Sequence, residues 1–240
     1  MPQRRSAEAY HGVDLDRRTP MKLLLTSGGV TNASIEAALV GLLGKPIAES
    51  SALAIPTAEY AHPMCGPESA RRFVTGEMPP PMCGLPWRSL GVLELTALPT
   101  LDRDRWVGWV QDADVLLAAG GDAAYLAHWM RASGLADLLP DLHDTVWVGL
   151  SAGSMVMTPR IGGPFVTWRP EGGTDRTLGV VDFSIYPHVG MNPMEGADRW
   201  AAPLGVPAYA IDDETAIQVV DGEVTVVSEG TWRHLPLAPA

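Results

Sequence analysis

The stretch "VWVGLSAGSMVM", residues 146–157, decides how the chain is read. Val146 to Leu150 is an apolar run of strand length with no polar alternation, the pattern of a strand buried on both faces of a sheet. The five residues Gly149-Leu150-Ser151-Ala152-Gly153 then match G-x-S-x-G, the strand–turn–helix pattern that lifts a nucleophilic serine above a parallel sheet. Glycine on either side lets neighbouring backbone approach without a Cβ clash. The first amides of a following helix are free to hold a developing oxyanion, and Ala152 carries one of them. A Gly-Ser-Gly turn also serves plain chain reversal, so these residues alone leave Ser151 open between nucleophile and turn.

Working outward from this point, the same alternation recurs. Strand-like runs at Lys22–Thr26, Ala52–Pro56, Gly91–Leu95, Asp114–Ala119 and Thr145–Leu150 are separated by helical patterns at Thr31–Leu43, Leu101–Gln111 and Ala123–Leu135. Strands alternating with helices of ten to fifteen residues predict a mostly parallel sheet covered on both faces, a three-layer α/β sandwich. Past residue 180 the pattern changes. Asp182–Tyr186, Ala208–Ile211, Thr215–Val220 and Glu223–Ser228 read as strands without helices of that length between them, and Asp221-Gly222 is a hairpin signal. They are expected as antiparallel edge strands. Thr57 to Trp87, rich in Pro, Gly and Met, is a long, partly helical excursion, and loops of that length are usually functional or disordered.

The 240 residues suit one sizeable core, expected as a single domain over residues 21–240 behind a polar extension at 1–20. The net charge of −11 argues against nucleic-acid binding, which needs a basic face. No apolar run approaches the roughly 18 residues of a membrane helix, and the first twenty residues lack the apolar core of a secretory signal. With only Cys65 and Cys83, the expectation is a protein of the reducing cytoplasm.

A second strand end, Gly120-Gly121-Asp122 after "VLLAA", should meet Ser151 at the carboxyl edge of the sheet, where open α/β sheets bind ligands. The amide of Gly121 is the second candidate oxyanion donor, while Asp122 also reads as a helix N-cap. A serine needs a base. His188, ending the run "DFSIYPH", is well placed for the same edge, and His234 near the C-terminus is its rival, since α/β-hydrolases place the base after the last strand. His62, Cys65 and Cys83 lack both a fourth ligand and C-x-x-C spacing, so no metal site is expected.

Four segments together, "LLAAGGDAAYL" (116–126), "VWVGLSAGSMVM" (146–157), "LGVVDFSIYPH" (178–188) and "AIDDETAIQV" (210–219), resemble the aspartyl dipeptidase (dipeptidase E) and cyanophycinase family of serine peptidases. The resemblance runs over most of the chain from Met21 onward. It implies a class I glutamine amidotransferase-like fold with serine in place of cysteine, Ser151 as nucleophile, His188 as base, and Gly121 and Ala152 as the oxyanion hole. It also implies a small peptide substrate, with an N-terminal aspartate in the dipeptidase branch and a cation to receive it. Arg160, Arg169 and Arg176 are the candidates for that cation. The pattern departs from the family at the acid, because "IGGPFVTWRP" after the nucleophile contains none. Asp175 is chosen, with Glu171, Asp213 and Glu214 as alternatives. Two other readings stand beside this one: an esterase of α/β-hydrolase layout using His234 with Asp212 or Asp213, and a non-catalytic binding protein with a decayed triad. None requires a cofactor, and a homodimer is an expectation from the fold alone.

Overall fold

The structure is a computed structural model that describes residues 21–80, 82–170 and 173–237. The expected extension at 1–20 and the candidate acid Glu171 lie outside the described residues. Five parallel strands form the heart of the main sheet: β1 (Lys22–Thr26), β2 (Ser51–Ile55), β3 (Ser89–Val92), β4 (Val115–Ala118) and β5 (Val146–Leu150). Two further strands, β8 (Thr215–Val220) and β9 (Glu223–Ser228), are added antiparallel beside β1, giving the order β3-β2-β4-β5-β1-β8-β9.

The two-residue period of the strands sorts their side chains into two cores. Leu23, Leu25, Leu116, Ala118 and Trp147 point to one face and pack against α3 (Arg103–Gln111), α4 (Ala123–Ser133) and α5 (Leu135–Leu138). Leu24, Val115, Leu117, Val146 and Val148 point to the other face. There they meet α1 (Ala33–Leu43) and Phe73 of α2 (Pro67–Val74). Burial on both faces is why these strands read as unbroken apolar runs. Helix α1 starts where Asn32 accepts the Ile35 amide and stops at Gly44 in the left-handed region, φ 67°.

The C-terminal part differs from the expected edge. Only β8 and β9 extend the main sheet. β6 (Ser184–Val189), β7 (Ala208–Asp212) and β10 (Trp232–Leu235) form a separate three-stranded sheet in the order β10-β7-β6. Within it β6 and β7 are parallel, joined through α7 (Met194–Ala201). Trp200 of α7, Tyr186 of β6 and Leu235 of β10 anchor a third small core, which satisfies those strands away from the main sheet. The excursion at 57–87 holds a 3-10 turn at Thr57–Ala61 and helix α2, and it buries Phe73, Met82 and Cys83 against the sheet.

Candidate active site

Three neighbouring strand ends build the site. Register places Thr26 of β1 beside Leu150 of β5, and Gly149 of β5 beside Ala118 of β4. The residues that follow, Ser27, Ser151 and Gly120-Gly121, therefore leave the sheet side by side at its carboxyl edge. Ser151 has φ 50° and ψ −105°, outside the conformations a side chain normally tolerates, which costs about 1–3 kcal/mol. Its backbone is held there from both sides. The Ser151 amide donates to Thr26 O at 3.0 Å, and its carbonyl accepts from the amides of Ser154 and Met155, both at 2.9 Å. The flanking glycines follow from the closeness of this turn. A Cβ on Gly149 would sit 2.4 Å from the Gly153 carbonyl, and one on Gly153 would sit 2.4 Å from the Ala118 carbonyl oxygen. The turn after Ser151 is short: α6 covers only Ala152–Met155. Free amides, more than a long helix dipole, are what it offers.

His188 lies on β6 where the pairing with β7 is irregular, and it also has a positive φ of 57°. Its Nε2 is 2.9 Å from Ser151 Oγ. Its Nδ1 is 2.7 Å from Asp213 Oδ1. These partners assign the tautomer: Nδ1–H donates to the carboxylate, leaving Nε2 to accept from the serine hydroxyl. Asp213 comes from the turn between β7 and β8. Its carboxyl is held below the usual carboxylate range, first by the His188 hydrogen bond and further by that of Ser27, against the opposing effect of partial burial.

Ser27 ties this pair to β1. It is fully buried, its backbone follows Thr26 at the sheet edge, and its hydroxyl donates to Asp213 Oδ1 at 2.6 Å. Ser27 Oγ in turn accepts the His188 backbone amide at 2.8 Å, so one side chain fixes both Asp213 and the histidine backbone. Thr31 Oγ1 bonds the Asp213 carbonyl at 2.8 Å and steadies the turn from outside.

Asp175, the acid expected from its place before the His188 strand, does not meet His188. Its carboxylate pairs with Arg160, Nη2 to Oδ2 at 3.0 Å, and Arg160 also bonds the carbonyls of Pro203 and Leu204. The chain at Asp175 is tied to the segment after Ser151, with the Ile161 amide donating to the Asp175 carbonyl at 2.9 Å and Arg160 forming a β-bridge with Arg176, so nearness in sequence misleads. Glu214 bonds Asn32, and Asp212 caps its own turn through the Glu214 amide and Thr215 hydroxyl. His234 sits on β10 with its ring 4.9 Å from that of Tyr209, apart from Ser151 and its partners.

Gly121 and Ala152 flank the serine. A Cβ added to Gly120 would lie 3.8 Å from Ser151 Cβ, and Gly121 follows with φ 124°. Among the described residues neither the Gly121 nor the Ala152 amide donates to a backbone or side-chain acceptor. Asp122 locks this strand end. Buried at 1% exposure, it accepts the Tyr125 amide at 2.7 Å as N-cap of α4, and also bonds Thr167 and the Trp168 amide. Its role as a clamp between two loops was not legible beyond the cap. Ser27 was overlooked although "TSGG" repeats the glycine-rich strand end seen at residues 120 and 151.

Of the candidate cations, Arg160 is engaged by Asp175, while Arg169 and Arg176 are exposed. Cys65 Sγ is 3.7 Å from His62 Nδ1, and Cys83 is buried elsewhere. Burial pushes the Cys83 thiol up to about 12 and, with Glu59 beside it, the Cys65 thiol up to about 11, so both are poor nucleophiles. Among the described residues no group of three or more His, Cys, Asp or Glu side chains is arranged to hold a metal ion, and no helix is long and apolar enough to cross a membrane.

The family model for peptidase family S51 matches residues 87–227, more than half of the chain. The chain belongs to peptidase family S51. It is a serine-type peptidase. A solved structure of a provisionally named peptidase E protein from Listeria monocytogenes EGD-e superposes with a TM-score of 0.61 at 17% identity, covering 88% of this chain and 99% of that one. A peptidase from an acI-B1 Actinobacterium superposes with the same TM-score of 0.61 at 19% identity over 93% of each chain. At these identities the superpositions show a shared α/β fold with a mostly parallel central sheet. No curated protein matches the chain.

Proposed function

We propose that this S51 peptidase hydrolyses a small peptide through Ser151, His188 and Asp213. The observation that carries the reading is the continuous line from Ser151 Oγ to His188 Nε2 at 2.9 Å and from His188 Nδ1 to Asp213 at 2.7 Å. Ser151 attacks the scissile carbonyl while His188 takes its proton. The carbonyl oxygen, now negative, rests on the amides of Gly121 and Ala152. The imidazolium formed is stabilised by Asp213, then returns the proton to the leaving amine; water repeats the sequence on the acyl-enzyme. Ser27 keeps the acid on the histidine through both halves. The missing acid that motivated a decayed-triad reading is supplied by Asp213, and the place of His234 gives no support to the esterase layout.

The reading keeps to small peptides without fixing an acidic N-terminal residue, because Arg160 is already paired with Asp175. Two free cysteines fit a cytoplasmic location. The test is labelling by a neutral fluorophosphonate together with release of amino acids from a dipeptide mixture. Wild type should label and turn over, and Ser151→Ala should do neither. Labelling retained in Ser151→Ala refutes the assignment.

A further inference from the structure

Two small clefts open on the same carboxyl edge, next to Gly121. One, of about 210 Å³, is lined by Thr57, Tyr60, Glu94, Thr96 and Tyr125. The second, of about 300 Å³, adjoins it through Tyr60 and Glu94 and is walled by apolar residues that include Pro56, Val74 and Val92. Each is at or below the ~300–1,000 Å³ of pockets for whole drug-sized ligands, so each suits one side chain. Their place relative to the serine is fixed by the backbone. Thr57 precedes Ala58, whose carbonyl oxygen accepts the Asp122 amide at 2.9 Å and presses against Gly121. Tyr125 stands in the first turn of α4, directly beyond Asp122.

Apart from Arg71, the polar groups lining this space favour positive charge. Glu94 Oε1 is held by the Thr96 hydroxyl at 2.9 Å and its amide at 3.2 Å, while Oε2 has no partner among the described residues. Thr57 is 1% exposed, lines the cleft, and its hydroxyl has no hydrogen-bond partner among the described residues, although a buried hydroxyl is normally satisfied. Tyr60 and Tyr125 line the same cleft as Glu94, and aromatic ring faces attract cations. Arg71, the one basic residue on the walls among the described residues, is held by both Glu68 and Glu77 and so is more than balanced.

We infer that this cleft is a specificity subsite for a cationic side chain, of lysine or arginine type, on the residue whose carbonyl Ser151 attacks. The methylenes lie along Tyr60 and Val92, and the charged head meets Glu94 and Thr57. The inference rests on Ser151 acting as nucleophile, and it differs from a preference for N-terminal aspartate.

The experiment compares Lys-Ala, norleucyl-Ala and Asp-Ala dipeptides with wild type, Glu94→Gln and Glu94→Lys, folding being checked by circular dichroism. Wild type should favour Lys-Ala over norleucyl-Ala by about ten-fold or more in kcat/KM, the range of a charge-assisted hydrogen bond. Glu94→Gln should bring that ratio near one through KM, and Glu94→Lys should move preference toward Asp-Ala. Calorimetry with lysinamide separates binding from chemistry: Ser151→Ala should bind it, and Ser151→Ala/Glu94→Gln should not. A wild type that prefers Asp-Ala or norleucyl-Ala, or a ratio unmoved by Glu94→Gln, overturns the subsite while fluorophosphonate labelling keeps the serine hydrolase. If wild type is not labelled, the hydrolase reading fails and the substrate role falls with it, whatever lysinamide does.

Discussion

Replacing Asp213 with Asn removes the charge behind His188 while keeping the side chain's size. Asp213 contacts Nδ1 at 2.7 Å, but its side chain is 51% exposed. A unit charge pair about 4 Å apart is worth ~1 kcal/mol in water and ~4 kcal/mol at the effective dielectric near a protein surface. Half exposure puts the loss of imidazolium stabilisation at about 2–3 kcal/mol, roughly 30- to 150-fold at ~1.4 kcal/mol per factor of ten. An amide –NH₂ facing Nδ1 also favours the wrong tautomer, with the proton on Nε2, and adds to the loss. Asp213→Asn should therefore lower kcat by about 100- to 1,000-fold, less than the ~10⁴ seen when a buried triad acid is replaced. Asp175→Asn is the control: its partner is Arg160, so kcat should stay within about three-fold while stability drops by about 1 kcal/mol. The assay is steady-state dipeptide hydrolysis, with the rate of fluorophosphonate labelling as a second readout. Loss of activity in Asp175→Asn equal to that in Asp213→Asn, or an Asp213→Asn enzyme within ten-fold of wild type, would refute the reasoning.

Asp122→Ala leaves the amides of Tyr125, Thr167 and Trp168 without their acceptor, and an N-cap alone is worth about 1 kcal/mol. Urea unfolding should show a loss of about 2–4 kcal/mol, with kcat falling because Gly121 loses its anchor; a stable, fully active variant would show that the clamp does not position the glycine. Acid should weaken the fold through Asp213 as well. Its carboxyl is depressed in the folded state, so its contribution is present above the unfolded value of about 3.9 and is lost as pH falls through the lower folded value. The stability gap between wild type and Asp213→Asn should thus narrow below about pH 4. A gap that widens there would contradict the depressed carboxyl.

The strand ends that meet at the carboxyl edge were readable in advance from local pattern. Ser151 and Gly121 belong to strand ends whose glycines and apolar runs announce themselves, and β1, β4 and β5 could be placed because burial on both faces leaves unbroken apolar sequence. Asp213 was harder. It was weighed among four acids, and Asp175 was preferred for being nearer His188 in sequence. Its direct contact with His188 is braced by Ser27, which is 186 residues from Asp213, and no local pattern encodes that distance. The departure of β6, β7 and β10 from the main sheet was hidden for a related reason. Their partners are one another and α7, and strand-like sequence does not say which edge a strand joins. Trp232–Leu235, short and mixed in polarity, did not read as a strand.

The Ser27 bridge also has a meaning in time. β1 is made well before its two neighbours in the finished sheet, β5 and β8, which lie more than a hundred residues further along the chain. Pairings so distant in sequence form slowly, because loop closure precedes any gain from contact. The bonds of the Ser27 hydroxyl to Asp213 and to the His188 amide wait on the same closure, since neither residue has been made when Ser27 leaves the ribosome. A growing chain that has exposed Ser151 before His188 and Asp213 are made therefore lacks the contacts from Ser151 to His188 and from His188 to Asp213. On the proposed reading, the serine gains its partners only once the chain through Asp213 has been made and the sheet around β1 has closed.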